Sequence, residues 1–210
     1  MVYMVRITED EMVLEFLLAE VQSSRFFSAL ETALHEAGGL PDILYNPNLN
    51  DPDQNKIRKA ILRQYRGYPD TLLFDGFPDD VQWYKKTLMR DRVLEIKYST
   101  YSYWVALSKG TRSPKVGAQT VRNGEEIFNQ PNQIYWQIVE KMKEDKNLPK
   151  LICVAMSESD TPVVIEGHLR LTAYALAPEN LPRNFEILFG ISTKLSGYGF
   201  YKLPVGAYPE

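Results

Sequence analysis

The sequence predicts an α/β chain of the α+β kind: a small mixed sheet with flanking helices, preceded by a helical N-terminal extension. Three observations carry this. Leu151 to Met156 and Val163 to Ile165 are short unbroken apolar runs, the pattern of strands buried on both faces. Leu169 to Ala177 follows the second run at helical spacing. Phe185, Ile187, Phe189 and Ile191 then alternate with less apolar neighbours, as a further strand does.

The remaining elements follow in chain order. Residues 9–37 read as helix, with Asp10 as a cap and Val13, Phe16, Leu17 and Val21 as an apolar stripe. Ser23-Ser24 offers a second cap, after which Phe27, Leu30, Leu34 and Ala37 keep the spacing until Gly38-Gly39 and Pro41 stop it. Asn46 to Pro52 is turn-rich. Asp53 opens a helix carrying Ile57, Ile61 and Tyr65, closed by Gly67 to Pro69. Pro78 suits the first turn of a helix running to Arg90. Residues 92–98 alternate, with Leu94, Ile96 and Tyr98 against Glu95 and Lys97, and are expected as a strand. Pro114 to Arg122 is a short helix. Residues 131–146 form a longer one with Ile134, Ile138 and Met142 in a stripe. On this reading residues 1–50 are the helical extension and 51–210 the main domain, with its core at about 92–195.

Composition narrows the function classes. The chain has 210 residues, 44% hydrophobic and 24% charged, with a net charge of −3. Those are globular values, and the balance speaks against a protein that coats nucleic acid by charge alone. Cys153 is the only cysteine, so neither an internal disulfide nor a Cys-based zinc site can form. His35 and His168 are the only histidines, which excludes a multi-His metal site. No apolar run approaches the roughly 18 residues that span a bilayer, so no membrane partner is expected. The first ten residues carry charge and no signal-peptide core, and a cytoplasmic location is expected.

The most informative stretch is residues 163–176, VVIEGHLRLTAYAL. A buried strand ends in Glu166-Gly167 and turns at once into a helix with Arg170 in its first turn. First-turn amides lack intrahelical acceptors, and the helix dipole adds positive character there, so such a corner favours an anion. Gly167 permits close backbone approach, and Arg170 can fork two hydrogen bonds onto a phosphate. His168 can exchange a proton near neutral pH. Glu166 could serve as a general base or hold a divalent cation. A turn glycine, a surface arginine and a structural histidine give the same string. A second polar loop, Ser108-Lys109-Gly110-Thr111-Arg112-Ser113, precedes a helix, and Thr111 and Arg112 are candidate phosphate ligands there, although P-loop spacing is absent. Trp83, Trp104 and Trp136, with the Tyr-rich 98–104 stretch, suit either a core or a base-stacking wall.

Residues 134–177 resemble the core of the ParB/sulfiredoxin-like fold family. The likeness rests on the helix Ile138 to Lys146, then Leu148-Pro149-Lys150-Leu151-Ile152-Cys153-Val154, then Glu166-Gly167-His168-Leu169-Arg170 at a strand-to-helix corner. The last stretch is similar to the Asp-Gly-His-His-Arg variant of ParB-like proteins. The resemblance implies a bound nucleotide or phosphodiester, with Gly167 and Arg170 holding phosphate and His168 beside it. It further implies phosphoryl transfer or hydrolysis through Glu166 and His168, with Mg²⁺ accompanying a nucleoside polyphosphate. The alternative is a non-catalytic module that senses a nucleotide or docks DNA or protein. Departures matter. His168 stands where sulfiredoxins have their catalytic Cys, which speaks against reductase chemistry. Leu169 replaces the second His of the variant, and only 40 residues follow Arg170, which speaks against a centromere-binding role.

Overall fold

In the computed structural model, residues 3–21, 27–36, 42–144 and 148–202 are described. The expected cap at Ser23-Ser24 and the stop at Gly38-Gly39 lie outside them. Met4–Arg6 forms a short strand, β1. Glu9–Val21 is helix α1. Its start is set by Thr8 rather than Asp10: the Thr8 amide donates to the Glu11 carboxylate at 3.0 Å and the Glu11 amide to Thr8 Oγ1 at 3.2 Å. That reciprocal pair is a capping box. Helices Phe27–Glu36 (α2), Asp42–Tyr45 (α3) and Pro52–Arg66 (α4) follow. Asp51, one residue before Pro52, caps α4 by accepting from the amides of Asp53 and Gln54, and Gly67 closes it in the left-handed region. Next come strand Gln82–Met89 (β2) and helices Arg90–Val93 (α5), Ser102–Leu107 (α6), Pro114–Arg122 (α7) and Gln133–Lys143 (α8). Strand Ile152–Ala155 (β3), strand Val163–Glu166 (β4), helix His168–Leu176 (α9) and strand Asn184–Ile191 (β5) complete the order.

The five strands form one mixed sheet in the order β1-β2-β5-β3-β4, with β3 and β5 parallel and the other pairs antiparallel. The expected α+β class is the observed one. Strand alternation divides the core. Ile152, Val154, Ile165 and Leu188 face α1 and α4, together with Met12, Phe16, Ile61 and Leu62. Cys153, Val164, Ile187 and Phe189 face the other way, onto Ile96, Tyr98, Leu171 and Tyr174. Beyond that face, α7 and α8 pack on α9 through Ala118, Val121, Tyr135, Val139, Ala173 and Leu176.

Two expected elements are corrected. Residues 82–89 are a strand, not part of a helix from Pro78, and β2 is paired along its length with β5. Its sequence hides the period because both faces are covered: Trp83 joins one core and Leu88 the other. Between them Lys86 is buried, with its ammonium 4.2 Å from the Phe189 ring centroid and donating to the Glu158 carbonyl at 2.8 Å. Residues 92–98 are not a strand. After α5 only Lys97 engages the sheet edge, donating to the Pro162 carbonyl and accepting from the Val164 amide. The sheet also reaches outside the expected 92–195 core. β1 and β2 both precede residue 92, so residues 1–50 supply an edge strand as well as helices.

Candidate functional site

The corner at the end of β4 is built by Gly167, whose φ of 104° and ψ of 21° belong to the left-handed region. A Cβ there would lie 2.5 Å from Leu151 Cδ2 and 2.9 Å from Arg170 Nη2. Having no side chain, Gly167 leaves the first-turn amides of α9 without a side-chain cap, and the helix ladder begins only at Leu171 donating to the Gly167 carbonyl.

Arg170 lies over this corner and is 8% exposed. Its Nη2 donates to Glu166 Oε1 at 3.2 Å and to the Lys150 carbonyl at 3.3 Å. Its Nε–H is buried and has no hydrogen-bond partner among the described residues. The sequence reading placed Arg170 at the corner as a phosphate ligand. The structure brings Glu166, Gly167 and Arg170 together there, but with the guanidinium buried and engaged by a carboxylate of the same corner.

His168 turns the other way. Its half-buried ring stacks on Trp104, with centroids 4.9 Å apart and planes at 17°, and on Tyr98 at 6.2 Å and 19°. Its Nε2 shares a 2.7 Å hydrogen bond with Ser99 Oγ. Burial first, then repulsion from Arg170, Arg112 and Arg66, pushes its pKa down to about 3, so the imidazole is neutral at physiological pH. Three arginines therefore act on one ring at a helix N-terminus.

The Ser108–Ser113 loop is held mainly by its own contacts. Thr111 Oγ1 donates to the Ser108 carbonyl at 2.7 Å and accepts from the Ser113 amide. Arg112 donates through Nε to the Tyr98 carbonyl at 2.6 Å and through Nη2 to the Tyr201 carbonyl at 2.8 Å. Thr111 is thus a loop brace, whereas Arg112 reaches the corner as a charge. Trp83 is core, Trp104 is the stacking partner of His168, and Trp136 is 43% exposed. Cys153 is buried in β3, and burial raises its thiol pKa well above the ordinary value.

Two charged residues missed by the sequence reading complete the neighbourhood. Glu20, on α1, is 2% exposed. Arg66, the last residue of α4, donates to its Oε1 through Nε at 2.8 Å and also through Nη2, whereas Glu20 Oε2 is buried without a partner among the described residues. Burial, then repulsion from Glu166, raises the Glu20 carboxyl to about 7, against the pull of Arg66 and Arg170. No local motif announces the pair, because its members are 46 residues apart on different helices.

Among the described residues no three His, Cys, Asp or Glu side chains gather into a group that could hold a metal ion. With Glu166 committed to Arg170, the described residues do not form a Mg²⁺ cage. Lys150, whose carbonyl accepts from Arg170, also lines a surface hollow of about 560 Å³ with Glu15, Pro149 and Glu186. No helix among the described residues is long and apolar enough to cross a membrane. Compared with protein-family models, curated proteins and solved structures, the chain matches none of them.

Proposed function

We propose that the protein binds a nucleotide or other phosphate-bearing ligand at the Gly167–Arg170 corner. The observation that carries this reading is the Arg170 Nε–H, buried and unpaired beside an uncapped helix start. A buried donor without a partner is costly, and a phosphate oxygen would satisfy it. The charges of Arg66 and Arg170 both act on Glu20 beside this corner and add to the α9 dipole. In this reading Gly167 sets the turn that leaves the first-turn amides of α9 uncapped, and those amides with Arg170 hold the phosphate. Phosphoryl transfer or hydrolysis would use Glu166, once parted from Arg170, to orient the attacking group. His168, turned away and held neutral by its surroundings, would take no proton in that step, and Mg²⁺ would arrive with the ligand's own phosphates.

The Glu166–Arg170 pair favours one other reading, a non-catalytic docking module in which that pair only pins the corner. A thermal-shift panel of inorganic phosphate and the nucleoside mono-, di- and triphosphates, with and without Mg²⁺, separates the two. A ligand at about 100 times its dissociation constant adds about 2.7 kcal/mol, which gives a visible shift. A rise in Tm in wild type that shrinks in Arg170→Lys, which keeps the charge and loses the fork, supports the proposal. No shift with any of these ligands overturns it in favour of the docking module.

A further inference from the structure

Arg66 and Arg170 come from opposite ends of the chain's fold, one closing α4 and one opening α9, and each meets a carboxylate: Glu20 on α1 and Glu166 at the end of β4. The two pairs meet at Lys150: its amide donates to Glu15 of α1 at 2.7 Å and its carbonyl accepts from Arg170, so the helix that carries Glu20 passes beside the corner. Glu166 and Arg170 both act on Glu20, and both arginines act on His168. Each pair leaves one buried polar atom unsatisfied, an acceptor at Glu20 Oε2 and a donor at Arg170 Nε.

We propose that Arg66 is the second arginine of the anion site and that Glu20 is the internal carboxylate an incoming terminal phosphoryl group displaces from it. This rests on the reading of the corner as a phosphate site and narrows its ligand. Two guanidiniums, freed from two carboxylates, match the double charge of a terminal phosphate better than the single charge of an internal phosphodiester. The ligand class is therefore a nucleotide or phosphomonoester rather than a nucleic-acid strand, in keeping with the net charge of −3.

Glu20 is suited to yield. Among the described residues one of its oxygens has no donor, its side chain is 2% exposed, and the charged groups acting on it are Arg66 from α4, Glu166 from β4 and Arg170 from α9. Once a phosphoryl group takes the Arg66 fork, the Glu20 charge loses its counter-ion and gains a like-charged neighbour. Taking up a proton relieves both, so anion binding and protonation of Glu20 favour each other.

The test is isothermal titration of the full chain with inorganic pyrophosphate, and with a dinucleotide phosphodiester for comparison, at pH 6.5 and pH 8. Each titration is run in two buffers of different ionisation enthalpy, so that proton uptake is read directly. Wild type is expected to bind pyrophosphate in preference to the dinucleotide, more tightly at pH 6.5, and with net proton uptake. Glu20→Gln keeps the shape and an acceptor for Arg66, so it is expected to bind without that uptake and with affinity nearly independent of pH. Arg66→Ala is expected to lose about ten-fold or more in affinity, the scale of one charge-assisted contact. Arg66→Lys, which keeps the charge but not the fork, covers the case in which the alanine variant fails to fold. Binding that Arg170→Lys weakens while Arg66→Ala and Arg66→Lys leave it unchanged, with no proton uptake, overturns this inference and leaves the corner reading standing. A wild type that binds no pyrophosphate at either pH overturns both.

Discussion

Glu166 Oε1 and Arg170 Nη2 face each other at 3.2 Å across the first turn of α9, linking the last residue of β4 to the helix it feeds. The pair gives the corner a resting state in which the Arg170 guanidinium is already charge-matched. Removing one partner of a buried pair strands the other, which costs about 3–5 kcal/mol. Arg170→Ala is therefore expected to destabilise the fold by about that much in urea unfolding. Glu166→Gln, whose side chain is more exposed and keeps an acceptor, should cost clearly less. An Arg170→Ala variant as stable as wild type would mean that the pair does not pin the corner. The buried setting also changes how Arg170 must be probed: a variant that keeps the charge isolates ligand binding from folding.

Gly167 and Gly110 both have positive φ, at 104° and 82°, but differ in surroundings. A Cβ at Gly167 meets Leu151 and the Arg170 guanidinium, whereas at Gly110 nothing lies within 4 Å. Gly110→Ala is expected to cost only backbone strain, about 1 kcal/mol. Gly167→Ala adds a clash with a core leucine and should cost at least about 1–3 kcal/mol more, with loss of any ligand-induced Tm shift. Equal Tm values for the two variants would remove the special role given to Gly167.

The last third of the chain was legible because its signals are local. β3 and β4 are continuous apolar runs, and the glycine at their exit into α9 marks the corner. The stretch from residue 78 to 98 was not, for reasons that are not local. β2 is covered on both faces and carries a buried lysine whose cation–π contact with Phe189 is formed only in the fold. The alternating stretch at 92–98 has strand-like composition but finds a single pairing residue, Lys97, at the edge of β4. In the site, the sequence placed Gly167, His168 and Arg170 side by side because they are neighbours in the chain. It was silent on Ser99, Glu20 and Arg66, which reach the corner only through tertiary packing.

Two titrations of opposite sign follow from the site. His168 is held neutral in the fold, with its pKa lowered to about 3, while the unfolded chain binds a proton near 6.5. Its contribution is fully present above pH 6.5 and is lost as pH falls from there toward 3. Glu20 is raised from 4.5 to about 7, so its contribution is fully present below pH 4.5 and is lost as pH rises through 7. Tm measured from pH 4 to 8 should therefore respond in opposite ways to two variants. His168→Gln is expected to flatten the acid side of the profile, and Glu20→Gln to flatten the fall toward pH 8. Profiles parallel to wild type in both variants would contradict these assignments.

The Tyr98 hydroxyl is 2.6 Å from Thr172 Oγ1, and Thr172 gives its own proton to the His168 carbonyl at 2.9 Å. Tyr98 must therefore be the donor of the first bond. This chain fixes α9 against the ring on which His168 stacks. α7 contributes by keeping clear: a Cβ at Gly117 would lie 2.8 Å from the Tyr98 hydroxyl. Tyr98→Phe removes one buried hydrogen bond and should cost about 1 kcal/mol. Gly117→Ala must push the whole Tyr98 ring, at a cost of about 1–3 kcal/mol. The stack on Trp104 and the 2.7 Å bond to Ser99 depend on where that ring sits, so the His168 imidazole nitrogen and proton resonances should move more in Gly117→Ala than in Tyr98→Phe. With only one other histidine in the chain, His35 on α2, the two imidazoles can be told apart, and His35 serves as the internal control. A Gly117→Ala spectrum with His168 unshifted would show that the corner is set by β4 and α9 alone, without the support of α7.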